Sequence, residues 1–145
     1  MKEQYVGDVN DYRKYALLRH LAQAGGVRVG VCWMLTPPDA GNLRHYVKDP
    51  DKWQRYDPQL FDKLQAIIEQ EEVSRLVAIE SAGVIPGALF FNQLLTNKTE
   101  RKAYFEDALH HLSESDVVFF DPDNGVAPAK AREQTRRSSK FIYLD

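Results

Sequence analysis

Four apolar residues, Val117 to Phe120, run directly into Asp121-Pro122-Asp123-Asn124-Gly125. They are β-branched or aromatic and too few for a helix, which predicts a strand buried on both faces, with Asp121 at its carboxyl end. That edge of an open α/β sheet is where ligands bind, so a carboxylate there can meet a substrate, a cofactor or a metal. Glu80 closes the run Arg75 to Glu80, apolar from Leu76 to Ile79, in the same way, and the two acids are expected on one sheet edge, pointing into one cleft. The turn residues also have a purely structural use. Pro122 suits the second position of a type I turn, Asp123 and Asn124 tolerate turn conformations, and Gly125 supplies a positive φ.

Other stretches have compositions with both a functional and a structural reading. Tyr5 to Tyr15 mixes aromatic rings with both signs of charge, including Asp8, Asp11, Arg13 and Lys14, and helix caps with solvated charges account for most of it. Thr36-Pro37-Pro38-Asp39-Ala40-Gly41-Asn42 is a loop of breakers after a strand; that position can hold a cofactor loop, but without a G-x-G-x-x-G fingerprint a plain turn is the favoured reading. Residues 130 to 140 carry Lys130, Arg132, Arg136, Arg137 and Lys140, a segment suited to phosphate contacts or to a solvated loop. Leu43 to Tyr56 interleaves Tyr46, Trp53 and Tyr56 with basic residues, which serves either nucleic-acid stacking or an insertion whose rings pack inward. None of His20, His45, His110 and His111 stands at metal-ligand spacing to acids or cysteine, and no metal site is expected.

The elements that must position these residues follow from periodicity and caps. Asp8 or Asn10 caps a helix to about Gln23, ended by Gly25-Gly26. Val27 to Leu35 is the first strand. Asp57-Pro58 opens a helix to about Glu72 with Leu60, Phe61, Leu64, Ile67 and Ile68 as its apolar stripe. Arg75 to Glu80 is read as a second buried strand, and Gly83 to Leu95 fits either a strand or a short helix. Thr99 caps a helix through Ser113. Phe141 to Asp145 closes the chain as a strand, which must be inserted in the sheet or covered by a second chain, because a bare apolar edge templates association. A homodimer is the expected outcome.

The 145 residues, 43% hydrophobic and 28% charged, fit one α/β domain with a mainly parallel sheet. A net charge of −2 and a pI near 6.1 exclude a globally basic nucleic-acid binder and leave only a regional patch. The single cysteine, Cys32, cannot form an internal disulfide; no apolar run approaches a membrane span, and a cytoplasmic location with no membrane partner is expected.

Gly7-x-x-x-Asp11-Tyr12-x-Lys14-Tyr15, Trp33-Met34-Leu35-Thr36-Pro37 and Phe119-Phe120-Asp121-Pro122-Asp123-Asn124-Gly125 together resemble bacterial and phage proteins of uncharacterised function with a Rossmann-like, methyltransferase-type core. The opening is more remotely similar to that of ribosomal RNA adenine-N6 methyltransferases. The resemblance covers most of the chain and implies a three-layer Rossmann-like sandwich over residues 1–145, short of its C-terminal strands, or the front part of a longer methyltransferase-like fold. It further implies S-adenosylmethionine held by Thr36, Pro37 and Gly41, with Glu80 on the ribose hydroxyls. Asp121-Pro122-Asp123 would stand in place of an Asp-Pro-Pro-aromatic motif, with Asp121 accepting from the target amino group and Lys14 nearby. Asp123-Asn124 departs from that motif by removing its stacking ring.

Two other functions fit the same residues. A strand followed by Asp-x-Asp also opens magnesium-dependent phosphoryl-transfer sites, with Asp121 as nucleophile or ligand and Asp123 as acid/base. A non-catalytic binding protein of phage or mobile-element origin could keep such a frame and use its basic and aromatic surface alone.

Overall fold

The computed structural model describes residues 1–37, 45–70, 74–96, 99–133, 135 and 138–144. Its sheet is built around β1 (Val29–Cys32), which is fully buried and lies between β2 (Leu89–Phe91) and β3 (Val117–Phe120), both parallel to it. Val31 stands opposite Phe90 on one side and Phe119 on the other. The chain leaves β1 for β2, then crosses back over β1 to reach β3. This reversal places a topological switch point between the carboxyl ends of β1 and β3.

Strand alternation divides the core in two. Val29, Val31 and Trp33 face a cluster with Tyr15, Leu18, Leu60, Phe61 and Leu64, supplied by α1 (Val9–Gly25) and α3 (Pro58–Glu69). Cys32, Met34 and Phe91 face the opposite cluster with Tyr104, Ala108 and Leu112, supplied by α5 (Arg101–His111) and the residue after it. Helices on both faces of a parallel sheet make an α/β fold of three layers. Each large side chain fully buried from α3 contributes about 1.5–3 kcal/mol. Among the described residues no helix is long and apolar enough to cross a membrane.

Several elements depart from the sequence reading. Residues 75–80 are not a strand: α4 (Arg75–Ser81) is a helix whose N-cap, Ser74, accepts from the Val77 amide, and Leu76 and Ile79 bury one face at a three-residue interval. A short apolar run does not distinguish a strand from a buried helix. The missing strand is β2, from the stretch that periodicity left open. β3 lies on the outer side of β1 and Val117 is 44% exposed, so burial on both faces belongs to β1 instead. The strand expected over 27–35 keeps only four residues, because Met34 takes φ 45°, a left-handed conformation that ends extended structure. α5 is capped by Glu100 and not by Thr99.

Residues 45–56 form two 3₁₀ turns, His45–Lys48 and Gln54–Tyr56, around the short helix α2 (Pro50–Trp53). Their rings pack largely inward: Tyr46 is buried and stacks on Tyr12 at 5.6 Å, with Trp53 edge-on to both. Tyr56 is the exception at 65% exposed. Residues 141–144 do not enter the main sheet; Ile142 forms a single parallel bridge with Val126. Arg101 donates to the carbonyls of Ser138 and Phe141 and lies over the Phe105 and Tyr143 rings, which secures the tail within the chain.

Candidate functional site

A cleft of about 340 Å³ opens at the carboxyl ends of β1 and β3. It is lined from two directions, by Met1 to Lys14 at the start of the chain and by Asp121 to Asn124 with Lys140. The position is the switch point, and its carboxylates come from both sides.

Asp8 organises the first side. Its carboxylate caps α1 by accepting from the amides of Asn10 and Asp11 at 2.7 and 2.9 Å. Gly7, at φ 79°, turns its own amide onto Asp11 Oδ2 at 2.9 Å, a conformation that disfavours any side chain. The Tyr15 hydroxyl donates to the same oxygen at 3.2 Å. Asp11 is 2% exposed, and its other oxygen meets the Lys14 ammonium at 2.7 Å.

Lys14 joins the two sides, because its ammonium also donates to Asp121 Oδ1 at 2.8 Å. Asp121 is 5% exposed, and its Oδ2 is buried without a partner among the described residues. The protonation of this unit follows from one ammonium serving two buried carboxylates. Burial opposes the Lys14 charge, but Asp11 and then Asp121 outweigh it and hold the amine protonated above its ordinary range. Asp11 moves the other way: burial pushes its carboxyl up to about 6, and a shared ammonium returns only part of that cost.

Asp123 is bound differently. It accepts from the Thr36 hydroxyl at 2.7 Å and lies 3.2 Å from the α-amino group of Met1 and 3.9 Å from Lys140 Nζ. The Met1 amine donates to the carbonyls of Trp33, Met34 and Asp121 at 3.1, 2.8 and 2.9 Å, tying the exits of β1 and β3 together. Burial lowers the pKa of that amine, against the pull of Asp123 and Asp121.

Of the residues expected at the site, Asp121, Pro122, Asp123 and Lys14 line one cleft, and Thr36 reaches it through Asp123. Glu80 does not line it. Carried by a helix, its carboxylate accepts from Trp33 Nε1 at 2.9 Å and lies 3.4 Å from the Asn92 amide, on the β1–β2 side of the sheet. The shared cleft for Asp121 and Glu80 is therefore corrected. Pro37 is exposed, and Gly41 lies outside the described residues, as do Arg136 and Arg137 of the basic segment. The sequence reading placed Asp11 and Tyr15 in a motif but gave a site role there only to Lys14, and it missed Met1 altogether. The i, i+3, i+4 spacing of Asp11, Lys14 and Tyr15 on one helix face could have found Asp11 and Tyr15.

The charges decide what the cleft can do. Asp121 and Asp123 are each already matched by ammonium groups, and among the described residues Asp121 Oδ2 is a buried carboxylate oxygen without a partner. Such an acceptor can receive an N–H from a ligand once the carboxyl group, whose terminal torsion is soft, turns toward the cleft. Among the described residues no cluster of three or more His, Cys, Asp or Glu could hold a metal ion. No family model, curated protein or solved structure matches the chain.

Proposed function

We propose that the protein is methyltransferase-like, taking an amino group of a nucleic acid into the switch-point cleft, with Asp121 as its acceptor and S-adenosylmethionine as methyl donor. The observation that supports this reading is Asp121 itself: a buried carboxylate at a parallel-strand end, Oδ1 held by Lys14 and Oδ2 without a partner among the described residues. An amine that attacks an electrophilic methyl group needs its lone pair aimed, and a carboxylate tethered by Lys14 on one oxygen and turned toward the cleft aims it by accepting one N–H with the other.

The donor's fit is uneven. Glu80 lies at the carboxyl side of β1 and β2, where a carboxylate can accept ribose hydroxyls, and its Oε2 makes only a long 3.4 Å contact with Asn92. Thr36 does not fit as a ligand, because its hydroxyl is committed to Asp123. For phosphoryl transfer, Mg²⁺ would have to displace Lys14 from Asp121 and Lys140 from Asp123, which disfavours that alternative. The segment 130–140 is the proposed phosphate contact, with Lys130 and Arg132 exposed and Lys140 at the cleft. Homodimerisation and a cytoplasmic location remain parts of the same proposal, and sedimentation at micromolar concentration tests the first; a phage or mobile-element origin belongs to the alternative of a non-catalytic binding protein.

The deciding experiment measures the melting temperature with S-adenosylmethionine and the transfer of labelled methyl groups to a single-stranded oligonucleotide. S-adenosylmethionine should raise the melting temperature by mass action, and Asp121→Asn should keep that rise while losing methyl transfer by at least about a hundredfold. No shift and no incorporation would overturn the reading. A shift with Mg²⁺ alone, lost in Asp121→Asn, would replace it with phosphoryl transfer.

A further inference from the structure

We propose that Asp11 is the positioning residue of the cleft: with the Gly7 amide and the Tyr15 hydroxyl it fixes the Lys14 ammonium on Asp121 Oδ1, leaving Oδ2 of that carboxylate to receive a ligand. The inference rests on the reading of Asp121 as an acceptor.

The geometry is directional. Asp11 Oδ2 accepts two hydrogen bonds from the protein, at 2.9 Å from Gly7 and 3.2 Å from Tyr15, and these set the plane of the carboxyl group. Its Oδ1 then points at Lys14 Nζ, 2.7 Å away, and Nζ lies 2.8 Å from Asp121. Lys14 is 30% exposed, whereas the carboxylates on either side are buried, so the amine is the most solvent-accessible member of the three. Without Asp11 it keeps one anchor and regains access to solvent. Asp121 would then lose a fixed counter-charge, and its two oxygens would become interchangeable.

The groups facing Asp11 are Asp8, Lys14 and Tyr15 from the cap and body of α1, Asp121 from beyond β3, and Tyr46 from the turn packed over Tyr12. Asp11, pushed up by burial to about 6, brings a titration close to neutrality into this set. Below that pH it is protonated and Lys14 answers to Asp121 alone, so activity should carry an acid limb near 6.

The test uses Asp11→Asn, nearly isosteric but uncharged, with Asp11→Ala and Lys14→Met, each checked for folding by thermal melting. In protein labelled with ¹³C at aspartate carboxyls, the wild type should show one group titrating near 6 that vanishes in Asp11→Asn, and the Asp121 resonance should shift with it. For methyl transfer, Asp11→Asn should lower kcat about tenfold or more with KM little changed and remove the acid limb, and adding Lys14→Met should cost little further. A variant that melts lower but keeps its kcat and pH profile would make Asp11 merely structural and overturn the proposal. Should the wild type transfer no methyl group, the functional reading fails by itself. The carboxyl titration still decides the positioning role, and an Asp121 resonance indifferent to Asp11→Asn overturns it.

Discussion

Asp11 makes folding itself depend on pH. Its carboxyl titrates at 3.8 in an unperturbed chain and at about 6 when folded, so between those values the native state holds a proton that the unfolded state has released. Stability contributed by this group is fully present below 3.8 and is lost as pH rises through about 6. Asp11→Asn should flatten that part of a stability-against-pH curve measured by urea unfolding, and an unchanged slope would contradict the burial-driven shift. Arg19 makes the complementary case. The residue is 4% exposed, and its guanidinium donates to the Val84 carbonyl at 2.9 Å and lies 3.2 Å from Asp57, the cap of α3. Removing Asp57 leaves that charge buried, and Asp57→Ala should cost about 3 kcal/mol in chemical denaturation, more than the loss of a cap alone.

At the scale of elements, the contact between β1 and the end of α5 is the tightest constraint. Gly30 has no side chain because a Cβ there would lie 2.5 Å from Ser115 Oγ and 3.3 Å from Leu112 Cβ. The Ser115 hydroxyl can rotate away, but Ser115 Cβ at 3.1 Å and the Cβ of Leu112, the buried C-cap of α5, can withdraw only if the backbone moves. Gly30→Ala should therefore destabilise by about 1–3 kcal/mol despite the better strand propensity of alanine. Because Asp121 leaves β3 in register with β1, its amide bonding the Cys32 carbonyl at 3.0 Å, the same substitution should also weaken any ligand response of the cleft. A melting temperature equal to that of the wild type would show that α5 is free to shift.

For the whole molecule, the net charge of −2 conceals the basic segment 130–140, whose Lys140 borders a cleft rich in aspartates. If that segment contacts phosphates, affinity for a single-stranded oligonucleotide should fall about linearly with salt on logarithmic axes. Lys130→Ala together with Arg132→Ala should reduce the slope. Fluorescence anisotropy between low and physiological salt measures this, and a flat response would return the segment to a solvated loop. The tail has less freedom to recruit a partner than an unpaired strand would have, since its bridge to Val126 and the Arg101 contacts hold it to the same chain.

The sequence alone determined α1 by its cap and terminal glycines and α3 by its cap and 3.6-residue apolar stripe, because these are local properties that packing only reinforces. It also determined Asp121 as a strand-end acid, since β-branched and aromatic residues before a turn leave few alternatives. It did not determine the class of Arg75 to Glu80 or of Ala88 to Phe91. Both are short apolar runs, and which becomes a strand depends on which can hydrogen-bond to β1, a choice made at long range. Only the tertiary structure decided that β1 is central, that Glu80 stands apart from Asp121, and that residues separated by more than a hundred positions, Lys14 and Asp121, share one proton-bearing contact. The reason is physical: periodicity records which face of an element is buried, but charge pairing depends on where two elements end relative to each other, and that is fixed by the crossover at the switch point.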